Sequence, residues 1–311
     1  MRKKWTRDDT ELTLLAIPTF IWYILFSFLP MFGVLIAFKK YRVYPGESFI
    51  YNIINSDWVG FDNFEYILQS NNFLILLRNT LAYNITFIIL GILISVTLAI
   101  IISLIYGKWK SKIYQTFMFF PHFLSWVVVS YFFYAFLSYD KGVLNRILSF
   151  FNLNSVQWYM ESDYWPYLLV IIQLWKTTGY NTVIYLASIV GIAPSLYEAA
   201  RIDGASTWQQ VKHITIPSIR PIVIMMFILN TGRIFFSDFG LFYQVTRGIP
   251  APIYDAVSTI DTYVYQSLLS STPIGMTTAV TLLQSVACCI TILLANWIVK
   301  KIDNDYAMHC F

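Results

Sequence analysis

Residues 81–106 read LAYNITFIILGILISVTLAIIISLIY, a run without a single Asp, Glu, Lys or Arg. A bilayer core is about 30 Å thick, and a helix rising about 1.5 Å per residue needs roughly 20 apolar residues to cross it. The run is therefore a membrane span. Residues 12–38 and 273–299 are equally free of charge, and residues 113–138 add only His122. Residues 165–193 carry one charge, Lys176, and residues 219–242 carry Arg220, Arg233 and Asp238. The expectation is an all-α membrane protein of six spans in one transmembrane domain. Composition agrees: over 311 residues, 57% are hydrophobic, 18% aromatic and only 12% charged, with a mean hydropathy of +0.59. No soluble core could hide so much apolar side chain, so lipid is the solvent.

The basic start (Arg2, Lys3, Lys4, Arg7) precedes a run too long for a signal-peptide core and without a small-residue cleavage site, so the first span is expected to stay as an anchor. Basic residues near helix ends resist translocation. Placing the N-terminus inside puts Arg2, Lys3, Lys4, Arg7, Lys108, Lys110, Lys112, Arg201, Lys212, Arg220, Lys300 and Lys301 in the cytoplasm, twelve residues against eight outside. Both termini are then cytoplasmic. The cluster Lys39, Lys40 and Arg42 opposes that pattern. The net charge of +4 sits at helix ends and calls for no nucleic acid. Cys288 and Cys289 lie inside an apolar span and Cys310 in the tail, with no disulfide framework or metal spacing. His122, His213 and His309 are scattered and make no catalytic constellation.

Three outer segments join the spans. Residues 39–72 hold a Pro45-Gly46 turn and an aromatic stretch, Trp58 to Phe64, suited to the membrane surface; residues 255–270 could form a short surface helix. The inner loops are short except for residues 194–220. That segment reads as two short helices: Ser195 with Glu198 forms a capping box, Asp203-Gly204 ends the first helix, and Ser206 with Gln209 opens a second that stops before Pro217. These features fit a docking surface and a plain connector alike.

The string itself is more specific. Glu198-Ala199-Ala200-Arg201-Ile202-Asp203-Gly204-Ala205, preceded by Pro194-Ser195-Leu196-Tyr197 and followed by Ile214-Thr215-Ile216-Pro217, resembles the EAA motif of permease subunits in binding-protein-dependent ATP-binding-cassette importers. Val211 stands where an aromatic residue is common, and Ile216 replaces a leucine. Trp58-Val59-Gly60-Phe61, Phe120-Pro121-His122-Phe123, Trp175-Lys176 with Gly179, Phe239-Gly240-Leu241-Phe242-Tyr243 and Leu294-Ala295-Asn296-Trp297 are similar, in the same order, to the oligosaccharide and polysaccharide permeases of maltose-importer type.

The resemblance implies a type I importer permease fold in a bacterial plasma membrane, N-in and C-in, with a cytoplasmic coupling helix. It implies four kinds of partner: a homologous second permease, two ATPase copies, an extracellular solute-binding lipoprotein and membrane lipid. Glu198, Ala199, Ala200, Asp203, Gly204, Ala205, Trp208 and Pro217 would form the ATPase-coupling element. This chain would bind no cofactor. ATP and Mg would sit on the ATPase, since no Gly-x-x-x-x-Gly-Lys-Ser/Thr run is present here.

Polar groups inside spans are pathway candidates by default. Lys176, Tyr180 and Asn181 cluster in the fourth span, where Lys176 lines a cavity, pairs with a carboxylate of the second permease, or makes an interhelical contact. Asn230, Arg233, Phe235, Phe236 and Asp238 offer hydroxyl-matching groups beside aromatic faces. Arg233 and Asp238, five residues apart, are expected to find separate partners. His122 reads as an interhelical hydrogen bond. An ATP-independent secondary transporter is the rival reading, but intramembrane acids, inverted repeats and a filter are not conspicuous.

Overall fold

The computed structural model describes residues 7–69, 72–105, 107–270 and 272–302. The expectations placed on Arg2, Lys3, Lys4, Tyr106, His309 and Cys310 lie outside these residues. The chain forms two compact units, one from residues 1–70 with 267–283 and one from residues 71–266 with 284–311.

In the first unit, α1 (Arg7–Tyr23) continues through a π-type turn, Ile24–Phe28, into a 3-10 stretch, Leu29–Phe38. The change of winding falls at Pro30, which has no N–H for the helical ladder and crowds the preceding turn. Strand β1 (Lys39–Lys40) pairs antiparallel with β2 (Asp57–Trp58) and encloses α2 (Phe49–Asn55), while α3 (Asp62–Leu68) follows. The basic cluster that opposed the orientation pattern is occupied here. Lys39 donates to the carbonyls of Ile53 (2.7 Å) and Ile54 (3.0 Å) at the end of α2, and Arg42 pairs with Asp57 at 3.2 Å. Phe38 stacks on Trp58, and Asn63 donates to the carbonyls of Ala37 and Lys39. The expected aromatic surface element is thus a small folded cap.

The second unit opens with α4 (Phe73–Leu104), which starts eight residues before the apolar run. Its polar first turns have partners: Asn79 donates to the carbonyls of Asp255 and Ser258, both at 2.9 Å, Tyr83 donates to Ala256, and Thr80 accepts from the N–H of Ile260. Helices α5 (Lys108–Phe119) and α6 (Trp126–Leu137) are joined by a 3-10 turn, Phe120–Phe123. The third span is therefore broken, with a bend of 98°. Helix α7 (Val143–Phe150) precedes α8 (Trp165–Val190), which lies along α4. Trp165, Leu169, Ile172 and Phe242 are fully buried between them and the segment near residue 242.

The hairpin follows as α9 (Pro194–Ile202) and α10 (Thr207–Gln210). Two expectations fail here. Ser195 caps nothing, because the helix begins at Pro194, whose missing N–H and fixed φ suit the first position. The second helix also does not stop at Pro217. A π-type turn at Val211–Thr215 absorbs the proline's missing bond, and α11 (Ile216–Thr231) continues, so 207–231 is one run long and apolar enough to cross. The Ser206–Gln209 box is present, and Gly204 takes the turn with φ +76°.

The fifth span was expected to reach residue 242 but ends at Thr231. Residues 232–239 contain no continuous helix, and a π-type turn, Gly240–Val245, resumes the winding. Then come α12 (Tyr254–Val257), α13 (Ile260–Leu269) and α14 (Ile274–Ile302), the last contributing residues to both units. The expected surface helix over 255–270 has a buried start, with Val257, Ser258, Thr259, Ile260 and Thr262 all inside. Among the described residues four helices are long and apolar enough to cross a membrane, or up to six if each bent pair counts once.

Gly179 marks the tightest approach in the second unit: a Cβ there would lie 1.8 Å from the carbonyl oxygen of Met118 on α5. Gly179→Ala should destabilise the protein by about 1–3 kcal/mol and lower its thermal-unfolding midpoint in detergent. Gly91→Ala, where a Cβ meets nothing within 4 Å, should leave the midpoint unchanged or raise it. Equal behaviour of the two variants would contradict the packing.

Candidate functional site

The two broken spans must settle free backbone groups where water is scarce, because an unpaired peptide group in hydrocarbon costs several kcal/mol. At the α5–α6 break the settlement is Lys176. Its ammonium donates to the carbonyls of Pro121 (3.4 Å), His122 (3.1 Å) and Leu124 (2.5 Å) and lies 5.1 Å from the centre of the Trp126 ring. Lys176 and Gly179 are three residues apart on one face of α8, so the same helix edge approaches and pins the break. Ser125 caps α6 by accepting from the N–H of Val128. Lys176 is thus a clamp on the backbone and does not line the cavity described below.

At the second break, Asn84 donates to the carbonyls of Ile234 (2.8 Å) and Phe236 (3.1 Å). Gln284 donates to the carbonyl of Phe235 and to Asp261, whose Oδ2 accepts from the backbone N–H and hydroxyl of Ser237. Asp238 then joins the two breaks: its Oδ2 accepts from Trp126 Nε1 at 2.9 Å, and its Oδ1 accepts from the N–H groups of Gly240 and Leu241. The pairing also explains Gly240, where a Cβ would lie 2.0 Å from Trp126 Cδ1. Arg233 and Asp238 do not pair, as the spacing predicted.

Between the breaks lies a polar cavity of about 560 Å³, within the roughly 300–1,000 Å³ common for small-molecule sites. It brings together Tyr180, Asn181, Asn230, Arg233, Phe236 and Asp238 from the expected set. Lys176 is turned to the break, and Phe235 is outside the lining and contributes its carbonyl to Gln284. Among the described residues His122 makes no interhelical hydrogen bond through its ring, contrary to expectation. Its ring stacks on Tyr180, with centroids 4.6 Å apart and planes 11° from parallel, and both line the cavity.

Sequence reasoning missed Asn84, Gln173, Ser237, Asp261 and Gln284. Asn84 and Gln284 sit inside two charge-free runs, and the rule that intramembrane polar groups are suspect flags them. Asp261 had no signal, since it lies in an apparent surface segment.

The hairpin presents the other candidate surface. Glu198, Ala199, Asp203 and Gly204 are exposed, as are Leu196, Ile202 and Trp208, Ile202 to 87%. Ala200 and Ala205 are half-buried, and the carbonyl of Ala200 accepts from the N–H of Ala205 to close the turn. Pro217 is the second residue of α11, directly after the π-type turn. The hairpin's first helix is fastened to the π-type turn that leads into α11 by a Tyr197–Thr215 hydroxyl contact at 2.9 Å.

A helical membrane protein with a polar cavity at broken spans and an exposed capped hairpin leading into one of them has the form of a solute permease. The chain belongs to the family of binding-protein-dependent transport system inner membrane components, whose pattern matches residues 91–304. It is a transport subunit rather than an enzyme, and its place is the cell membrane. It is 34% identical over 96% of its length to Protein LplB of Bacillus subtilis (strain 168), covering 91% of that protein. It is 30% identical over 94% to the polygalacturonan/rhamnogalacturonan transport system permease protein YteP of the same organism, covering 89% of it. A chain in a crystal structure of a bacterial ABC transporter involved in import of the acidic polysaccharide alginate superposes with a TM-score of 0.85 at 30% identity, covering 96% of this chain and 97% of that one. A second structure of an alginate ABC transporter, in complex with an alginate pentasaccharide-bound periplasmic protein, gives 0.84 over 95% and 96%.

Removing the Lys176 ammonium should strip three carbonyls of a charged donor, at about 1.5–3 kcal/mol. Lys176→Met should therefore lower the thermal midpoint while leaving ligand selectivity unchanged. Altered selectivity at an unchanged midpoint would return Lys176 to the pathway.

Proposed function

We propose that this chain is the permease subunit of an ATP-driven importer of oligosaccharides delivered by an extracellular solute-binding protein. The observation that carries the reading is the polar, aromatic-sided cavity at the junction of two broken spans, in a chain whose relatives include a permease for polygalacturonan and rhamnogalacturonan. Sugars are held by hydroxyl-matching polar groups beside flat apolar faces. Tyr180, His122 and Phe236 supply the faces, and Asn181, Asn230 and Gln173 the polar groups.

In this reading both termini and the 194–210 hairpin are cytoplasmic, following the twelve-to-eight basic balance. The hairpin seats in an ATPase subunit, with Glu198 meeting a basic residue there, Ile202 and Trp208 offering apolar contact, and Gly204 holding the turn. Two ATPase copies carry ATP and Mg, and a homologous second permease completes the pathway. Because 207–231 is one helical run, movement of the hairpin tilts the span that ends at the cavity.

Expressed with its native operon, the tagged chain should co-purify with a second permease and an ATPase, and an oligosaccharide-loaded binding protein should raise ATP hydrolysis. Purification alone, with indifference to ATP, would favour a secondary transporter. Glu198→Lys and Gly204→Pro should each abolish uptake while membrane levels hold; uptake at the unsubstituted rate in a well-expressed variant would refute the coupling role.

A further inference from the structure

The polar cavity holds an uncompensated cation. One carboxyl and one guanidinium line it, Asp238 and Arg233, and their situations differ. Asp238 has three donors within the protein: one oxygen accepts from Trp126 Nε1 and the other from two backbone N–H groups. It also interacts electrostatically with the Lys176 ammonium, which lies over the Trp126 ring. Arg233 is exposed into the cavity, and its guanidinium takes no hydrogen bond and no ion pair among the described residues. Gln173 adds a second unmatched group, a buried Oε1 without a partner. Asn84, by contrast, spends its amide on the backbone of the unwound segment.

A guanidinium presents a planar fork of donors that matches a carboxylate with two parallel bonds, and that match strengthens where water is partly excluded. We infer that Arg233 reads a carboxylate, so the saccharides this permease passes carry uronic-acid residues. The inference rests on the oligosaccharide reading of the cavity. The flat Tyr180–His122 stack, beside the unmatched amide of Gln173, favours a sugar ring with hydroxyls over an acidic peptide as the bearer of that carboxylate.

The test is equilibrium binding to the purified importer complex containing this chain. The probes are a panel of uronate trisaccharides, the same trisaccharides with carboxyls reduced to hydroxymethyl groups, and tetraglutamate. At least one uronate trisaccharide should bind about tenfold or more tightly than its reduced form, because losing a charged partner leaves the guanidinium unmatched. Arg233→Gln should bring the two within about threefold at an unchanged thermal midpoint, and Arg233→Lys should keep part of the preference. Equal binding of the paired sugars by the unsubstituted complex, or a preference that survives Arg233→Gln, overturns the role of Arg233 and leaves the oligosaccharide reading standing. Binding of tetraglutamate alone, or of no probe, overturns both.

Discussion

Backbone polar groups must be satisfied inside a membrane, and this architecture depends on how that constraint is met at two interruptions. A continuous helix meets it internally, while a broken one needs side chains from its neighbours. Lys176 meets it for the third span, and Asn84 with Gln284 meets it for the fifth. Each donor lies within a predicted membrane span, where a polar side chain is costly unless it is used. The breaks and the polar residues therefore require each other. Remove the donors and the spans have no reason to open; close the spans and the donors have no partner.

Opening the spans in this way creates the cavity. A straight third span would fill the space beside Tyr180, and a fifth span continuing to residue 242 would withdraw Arg233 and Asp238 into helical register. Irregular backbone is tolerated at membrane depth where it is enclosed by protein or lines a cavity. Here it does both. Trp126 and Asp238 tie the two irregular stretches together, so the lining is one connected set of hydrogen bonds and not two independent kinks.

Much of this was legible in the sequence. Charge-free runs located the spans, the EAA string identified the family, and the Ser206–Gln209 box and Gly204 turn followed from capping and backbone rules. What stayed hidden has a common physical cause. Hydropathy measures whether a segment prefers lipid, and both broken spans do, so neither break altered the count. The proline rule failed at Pro217 because a π-type turn is a tertiary accommodation with no local signature. Lys176 was visible as a buried cation, but its three carbonyl partners lie more than fifty residues away in sequence. Asp261 looked like loop polarity until α14 brought Gln284 against it.

The uninterrupted winding from Thr207 to Thr231 has a mechanical meaning. A helical rod of 25 residues is roughly 37 Å long, with the hairpin at one end and Asn230 at the other. In the proposed importer such a rod is a lever. A tilt of about 10° imposed at the hairpin would displace the far end by roughly 6 Å, comparable to the width of a sugar ring. Because Gly232 follows the end of the rod and opens the unwound stretch, that stroke would be delivered to the non-helical link carrying Arg233 and Asp238. That link is held by Asn84, Gln284 and Trp126, so the stroke would load the same hydrogen bonds that shape the cavity wall.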